Sequence, residues 1–209
     1  TSPTTITGTL VQHTAENLSG VTIGQLARRG SPIVWGGSPA VFDMRQGTTP
    51  MGDVGTWMID CAYAEIGKSL GLPTHAYLGM SDAKIVDAQA GLESAGGTIL
   101  AALTGVNMVS GAGMMDFESC QSPEKLVIDA EIIGMAKRLL AGIERRDDPI
   151  AVDLMRRLGH RAEYLGEEHT ARWFQQETYI PSPVIDRGSL DAWQAGGRAS
   201  AFERARQRV

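Results

Sequence analysis

Cysteine is scarce in this chain and carries no pattern. Cys61 and Cys120 lie far apart, with neither a CxxC nor a Cys/His spacing, which argues against a disulfide scaffold and against a structural zinc site. Cys61 falls in an apolar helical pattern and reads as a small core residue. No apolar run approaches the roughly 20 residues that span a bilayer, and no basic-then-apolar signal segment opens the chain; the expected location is the cytoplasm. Basic charge does not dominate, since 19 Lys and Arg against 24 Asp and Glu leave a formal net charge of -5. A nucleic-acid binder carries a basic face, and the basic stretches, Arg145-Arg146 and residues 198–208, read as solvated helix surface. The short catalytic signatures are missing too: there is no GxSxG, HExxH or P-loop. Ser110-Gly111-Ala112-Gly113 lacks the GxGxxG spacing of a dinucleotide fold.

What is present is enough for a core, with 209 residues of which 43% are hydrophobic. Three segments share one grammar of β-prone run, small-residue turn and amphipathic helix. Residues 32–35 are followed by Gly36-Gly37-Ser38, residues 74–78 by Gly79-Met80-Ser81, and residues 106–109 by the stretch at Ser110. Strands alternating with helices in this way predict βαβ units and a parallel sheet. A fourth strand over residues 4–8 would extend it. Helices are predicted over 10–28, 53–70, 86–103 and 123–140. The last has Ser122 as N-cap, Pro123 at the first helical position and Glu124 at the positive end. Leu126, Ala130, Ile133, Ala136, Leu140 and Ile143 then recur at steps of three and four and predict its buried face. Gly91, Gly96 and Gly97 weaken the third helix by about 1 kcal/mol each, which implies close packing or a break. Beyond residue 143 only helices are expected, over 148–159, 167–176 and 189–206.

The strand count points to a part of something larger. A closed (β/α)8 barrel needs eight strands and about 250 residues, and three or four would leave sheet edges and a barrel interior unpaired. The expected fold class is therefore α/β, the C-terminal part of a TIM barrel, with residues 1–143 as a partial barrel and 144–209 as a helical C-terminal extension. More chain is expected before Thr1. A small complete α/β sandwich is the alternative.

In parallel α/β folds chemistry collects where strands end. Asp43 and Arg45 offer a carboxylate and a guanidinium that suit a zwitterion, or else an ion pair that fixes their own loop. Asp82 and Lys84 bind substrate or cap the next helix, with Asp87 and Gln89 just beyond and Glu93, Asp116 and Glu118 in the same rim loops. Trp35, Phe42 and Tyr77 sit at or near strand ends, where aromatic faces hold quaternary ammonium groups; core packing is the bland fate of such rings. His13 and Glu16, a helical turn apart, read as a surface pair without a third ligand, and His75 as a satisfied core histidine. These spacings give a pocket and no reaction.

Four long collinear segments go further. SPTTITGTLVQHTAENLSG, GSPAVFDMRQGTTPMG, GLPTHAYLGMSDAKIVDAQAGLES and SPEKLVIDAEIIGMAKRLLAGI closely resemble the trimethylamine methyltransferase family, and residues 173–193, with Pro181, Asp186-Arg187 and Trp193, resemble that family's C-terminal end. The resemblance implies a TIM barrel about twice this length, of which this chain looks like the C-terminal half. It implies methyl transfer from a methylated amine to the Co(I) of a corrinoid (cobalamin) held by a partner protein, with no cofactor bound covalently here. The archaeal trimethylamine enzymes use pyrrolysine, which this chain lacks; relatives without it act on quaternary amines such as glycine betaine, and that branch is the expected one. On this reading Asp43, Arg45, Asp82, Lys84 and Asp87 are pocket residues by motif position, the individual catalytic roles stay unassigned, and self-association stays open. Two alternatives remain: a phosphate-binding TIM-barrel enzyme using the amides of residues 110–113, and a non-catalytic quaternary-amine binder.

Overall fold

The computed structural model describes residues 2–146 and 150–209. Three extended segments lie side by side, all parallel. Trp35 bridges to Thr74, and β1 (His75–Ala76) pairs with β2 (Met108–Val109) in the register His75 to Met108 and Ala76 to Val109. The backbone amide of His75 donates to the Trp35 carbonyl, and that of Ser110 to the Ala76 carbonyl, at 2.8 and 3.1 Å. These are the three predicted runs, in the predicted order and sense. Residues 4–8 do not add a fourth. Thr5 instead N-caps α1 (Ile6–Ala27), its hydroxyl accepting from the Gly8 amide, so a threonine that looked like strand composition serves as a helix start.

Helix α2 (Val54–Ser69) follows the first segment, capped by Asp53, and α3 (Ala88–Thr104) follows β1, capped by Asp87 and ended by Gly105 in the left-handed conformation. Both lie within two residues of their predicted limits. One face of α2 buries Ile59, Tyr63, Ala64 and Gly67 against Trp35, Ala76 and Leu78, and Ala101 of α3 completes this core. The indole of Trp35 donates to the Tyr63 carbonyl at 2.9 Å. The third rim loop, expected to be irregular, contains an antiparallel hairpin of β3 (Met114–Met115) and β4 (Cys120–Gln121).

Helix α4 runs over Pro123–Leu140 with Ser122 and Glu124 as expected, but its buried face differs from the predicted one. Ala136 is buried as expected, but Leu126, Leu140 and Ile143 are exposed, Ile143 at 99%, and Lys125 and Asp129 are buried. The apolar periodicity located a stripe correctly as helical and assigned it the wrong neighbour, because Lys125 and Asp129 neutralise one another out of water. Residues 150–209 hold α5 (Val152–Leu158), α6 (Glu168–Glu177), α7 (Leu190–Ala195) and α8 (Ala201–Arg206), and no strand among those described. The predicted single helix over 189–206 is two, divided at Gly196-Gly197, with Ser200 and Glu203 forming a capping box that restarts the chain as α8. Helix α8 packs back on α4. Asp148-Pro149, predicted to open the first of these helices, lies outside the described residues. Among the described residues no helix is long and apolar enough to cross a membrane.

The α3 glycines separate into different roles. A Cβ on Gly97 would come within 2.6 Å of the Gly79 amide nitrogen, and one on Gly96 within 2.7 Å of the Trp57 ring, whereas Gly91 faces open space. Gly91→Ala is therefore expected to stabilise the chain by up to about 1 kcal/mol through helix propensity. Gly97→Ala is expected to destabilise it by about 1–3 kcal/mol, because backbone cannot step aside as a side chain can. Urea unfolding of the two variants checks both signs.

Candidate functional site

The parallel segments end at Gly36-Gly37-Ser38, Tyr77-Leu78-Gly79 and Ser110–Gly113, and the first turns of α2 and α3 rise beside them. A cleft of about 470 Å³ opens between those turns, lined by Asp53, Trp57, Asp82, Lys84, Gln89, Glu93 and Phe117 among others. Three acidic groups face one lysine there, with two aromatic rings.

Asp82 holds the cleft together. Its two oxygens accept from the amides of Met51 and Gly52 at 2.9 and 2.8 Å, tying the first rim loop to the second. Burial pushes its pKa up, and those two amide bonds oppose the rise. Glu93 performs the matching task from α3, with one oxygen accepting from the Ser81 hydroxyl at 2.6 Å and the Asp82 amide at 2.8 Å, and the other from the Gln89 side-chain amide at 2.9 Å. Asp82 does not cap a helix. That falls to Asp87, whose carboxylate accepts from the amides of Gln89 and Ala90.

Lys84 donates to the Asp82 carbonyl at 2.6 Å, pairs with Asp116 at 3.3 Å and lies 3.8 Å above the Phe117 ring. It seats an unusual turn: Asp116, Phe117 and Glu118 have φ of 50°, 54° and 70°. Three successive non-glycine residues in the left-handed region cost on the order of 1–2 kcal/mol each and persist only where surrounding contacts impose them. The turn sends neighbouring side chains to different places. Phe117 reaches the cleft, and Glu118 accepts a hydrogen bond from the Ser38 hydroxyl at 3.3 Å across the rim.

Beneath that crossing lies Asp60 of α2, fully buried. Among the described residues neither of its carboxylate oxygens has a hydrogen-bond partner. Burial first, then the nearby Glu118 charge, raise its pKa to about 8. One turn further down α2, the Tyr63 hydroxyl reaches the carbonyls of His75 and Gly37 at 2.8 and 3.2 Å, and burial drives its pKa far up.

The other expected residues are dispersed. Arg45 gives Asp43 three hydrogen bonds, one from its backbone amide at 2.8 Å and two from its guanidinium at 3.1 and 2.9 Å, on a turn closed by the Asp43–Thr48 bridge. The Arg45 side chain is 87% exposed, and its hydrogen bond holds the Asp43 carboxyl near 2. The loop-fixing pair is thus the arrangement present. Trp35 is wholly buried in the core and Phe42 is exposed, so neither faces the cleft. Tyr77 stays at the rim, half-buried and edge-on to His75 at 4.9 Å, while His75 shares a 2.8 Å hydrogen bond with the Ser110 hydroxyl, as expected of a satisfied histidine. His13 is half-buried: its ring packs 4.8 Å from that of Tyr63 and burial lowers its pKa, against the opposing effect of Glu16. In the 110–113 stretch the Ser110 amide is bonded to the Ala76 carbonyl and the Gly113 amide to the Asp129 carboxylate at 2.7 Å, so half of the amides a phosphate would need already have acceptors, one of them anionic.

Asp60 and Phe117 were not singled out from sequence, although Asp60 left a signal. It shares the face of Thr56, Tyr63, Ala64 and Gly67 at helical spacing, and a carboxylate on an otherwise uncharged buried stripe is a deliberate placement.

A protein with parallel segments whose ends open on an acidic, aromatic-lined cleft belongs to the broad class of α/β folds, in which strand ends are the usual place for a small-molecule site. Comparison with known proteins narrows this: the chain belongs to the trimethylamine methyltransferase (MTTB) family, whose profile matches residues 1–209. It is 37% identical over 209 residues to trimethylamine methyltransferase MttB of Methanosarcina thermophila, covering 100% of this chain and 43% of that protein. It is 33% identical over 205 residues to the MttB of Desulfitobacterium hafniense strain DSM 10664 / DCB-2, covering 98% of this chain and 41% of the relative. The glycine betaine methyltransferase of Desulfitobacterium hafniense strain Y51 is 34% identical over 194 residues, with 92% of this chain and 40% of that protein covered. The chain therefore spans less than half the length of these relatives.

Proposed function

We propose that the protein to which this chain belongs moves a methyl group from a methylated or quaternary amine, of the trimethylamine or betaine type, to the Co(I) of a separate corrinoid protein. The observation that carries this reading is the family match along all 209 residues, with relatives named for both kinds of amine. On the same reading the three parallel segments belong to the wall of a (β/α)8 barrel, with the rim of strand ends as its working face.

The chemistry asks little of acids and bases. The carbon–nitrogen electron pair stays with nitrogen, so a quaternary donor leaves as a neutral tertiary amine and no proton moves, whereas a tertiary donor such as trimethylamine must carry a proton on nitrogen to leave as a neutral secondary amine; the new bond to carbon is made with the electron pair of the acceptor cobalt. The protein's task is to hold the cation with one methyl carbon exposed in line. A cleft with acidic and aromatic walls suits that task. Within it Asp82 and Glu93 act as frame, since their oxygens are occupied by amides and a hydroxyl, and Lys84, Gln89, Trp57 and Phe117 are the groups left to shape the contact surface. Asp43, Arg45 and Tyr77 form an outer set on the same rim, where Arg45 would have to leave Asp43 to take a betaine carboxylate.

The full-length protein, supplied with free cob(I)alamin and either trimethylamine or glycine betaine, is expected to form methylcobalamin with one of them, followed by its visible spectrum. Folded protein that forms none with either would sink the enzyme reading and leave a non-catalytic amine binder.

A further inference from the structure

Helix α3 is enclosed on three sides and bare on the fourth. Its inner side lies on the strand-end loop, where Gly97 meets the Gly79 backbone. To one flank stands α2, whose Trp57 ring lies against Gly96, and to the other α4, whose Lys125 donates to Ser94. The remaining side carries Leu92, Ala95, Ile99 and Leu103 at steps of three and four. Leu92, Ile99 and Leu103 are 73%, 37% and 63% exposed, and Met58, next to Trp57 on α2, is 55% exposed. This side holds no charge. Glu93 is the one charged residue of α3, and it turns away to the Ser81 hydroxyl and the Asp82 amide. A helix side that faces water carries polar and charged groups, whereas a continuous apolar stripe marks a contact surface.

The place of α3 in the fold limits what can cover that stripe. It is the middle helix of three, so chain added at either open edge of the parallel segments lands beyond α2 or beyond α4. The stripe is also fitted to itself. Ile99 stands at its middle, with the small Ala95 one turn before it and the large Leu103 one turn after. Turned about a two-fold axis at Ile99, two α3 helices run antiparallel, and Leu103 of each copy seats over Ala95 of the other. A surface that matches its own rotated image makes an isologous contact, and lasting contacts between copies are more apolar than transient ones between different proteins. We propose that the outer side of α3, bordered by Met58 of α2, is the two-fold interface between two copies of this protein. Leu92, at the far end, lines the cleft, so the contact stops at the margin of that site.

Sedimentation velocity on the full-length protein is expected to show an even-numbered oligomer, and Leu103→Glu is expected to halve its mass, because each copy would then press a carboxylate into the other's apolar stripe. Leu103 faces outward, so the variant retains the fold; a near-ultraviolet circular dichroism spectrum confirms it. A second variant reads the axis itself. In Ile99→Cys the new thiol meets its own copy, and mild oxidation is expected to give a covalent dimer on a non-reducing gel, above the background of wild type. Leu26→Cys, on α1 and 83% exposed, is expected to add none. A monomeric wild type overturns the interface, as does a mass that Leu103→Glu leaves unchanged. Halved mass without linking at residue 99 overturns the two-fold arrangement. A monomer whose binding to a purified corrinoid protein is weakened by Leu103→Glu would give the stripe to that protein, and overturns the pairing as well.

Discussion

Asp60→Asn is expected to make the folded protein more stable, by an amount that grows as pH rises. Asp60 has its pKa raised from 3.8 to about 8 in the fold, so the folded chain holds a proton that the unfolded chain gives up. For an acid shifted upward, the native state is favoured most below the unfolded value and that advantage is lost as pH climbs toward the folded value. Asparagine has no proton to lose. Below pH about 4 the variant and wild type should therefore differ little. Above it the difference should widen by up to about 1.4 kcal/mol per pH unit, reaching roughly 4 kcal/mol near neutrality as an upper figure. Urea unfolding of the full-length protein at several pH values between 3.8 and 8 reads this directly. A difference that does not change with pH would show that Asp60 is ionised and paired in the native state.

Lys125→Met is expected to have the opposite effect. Lys125 and Asp129 are 1% and 2% exposed and 2.6 Å apart, and the Lys125 ammonium also donates to the Ser94 hydroxyl at 2.7 Å. Removing the lysine leaves a carboxylate in the interior with only the Gly113 amide for company, a loss of about 3–5 kcal/mol for a broken buried pair. The double variant Lys125→Met with Asp129→Asn should recover most of that, because the asparagine oxygen still accepts from Gly113 and no charge remains. Denaturation midpoints for the two single variants and the double one close the cycle. If the double variant is no more stable than Lys125→Met alone, the lysine matters through its packed stem and not its charge.

These two carboxylates also show where sequence reasoning held and where it stopped. The start of α4 was legible because it depends on local chemistry, Ser122 capping it with Pro123 and Glu124 behind; the cap of α3 was misplaced, since Asp87 and not Asp82 performs it. The three parallel runs were legible because their turn residues punctuate them. The buried side of α4 was not, since Lys125 and Asp129 look solvent-facing until Ser94 and Gly113 arrive from elsewhere in the chain to enclose them. The rim loops divided in the same way. Asp82, Lys84 and Gln89 come together in one cleft because they are close in sequence and share a strand end. Trp35 turned inward, since one side of a parallel strand faces the helices and a large ring there fills the core. Asp43 and Arg45 found each other because a single residue, Met44, separates them. No local rule announces three left-handed residues at 116–118; only the hairpin and Lys84 together demand them.

The contact between α3 and the strand-end loop, where Gly97 lies against the Gly79 backbone, bears on how this scaffold can be retooled. Main chain seated on main chain fixes a helix by shape that no side-chain exchange alters, so the seam works as a jig. Trp57, Gln89 and Leu92, which line the cleft beside it, can be randomised in a library aimed at bulkier or smaller donors while the frame that aims them keeps its place.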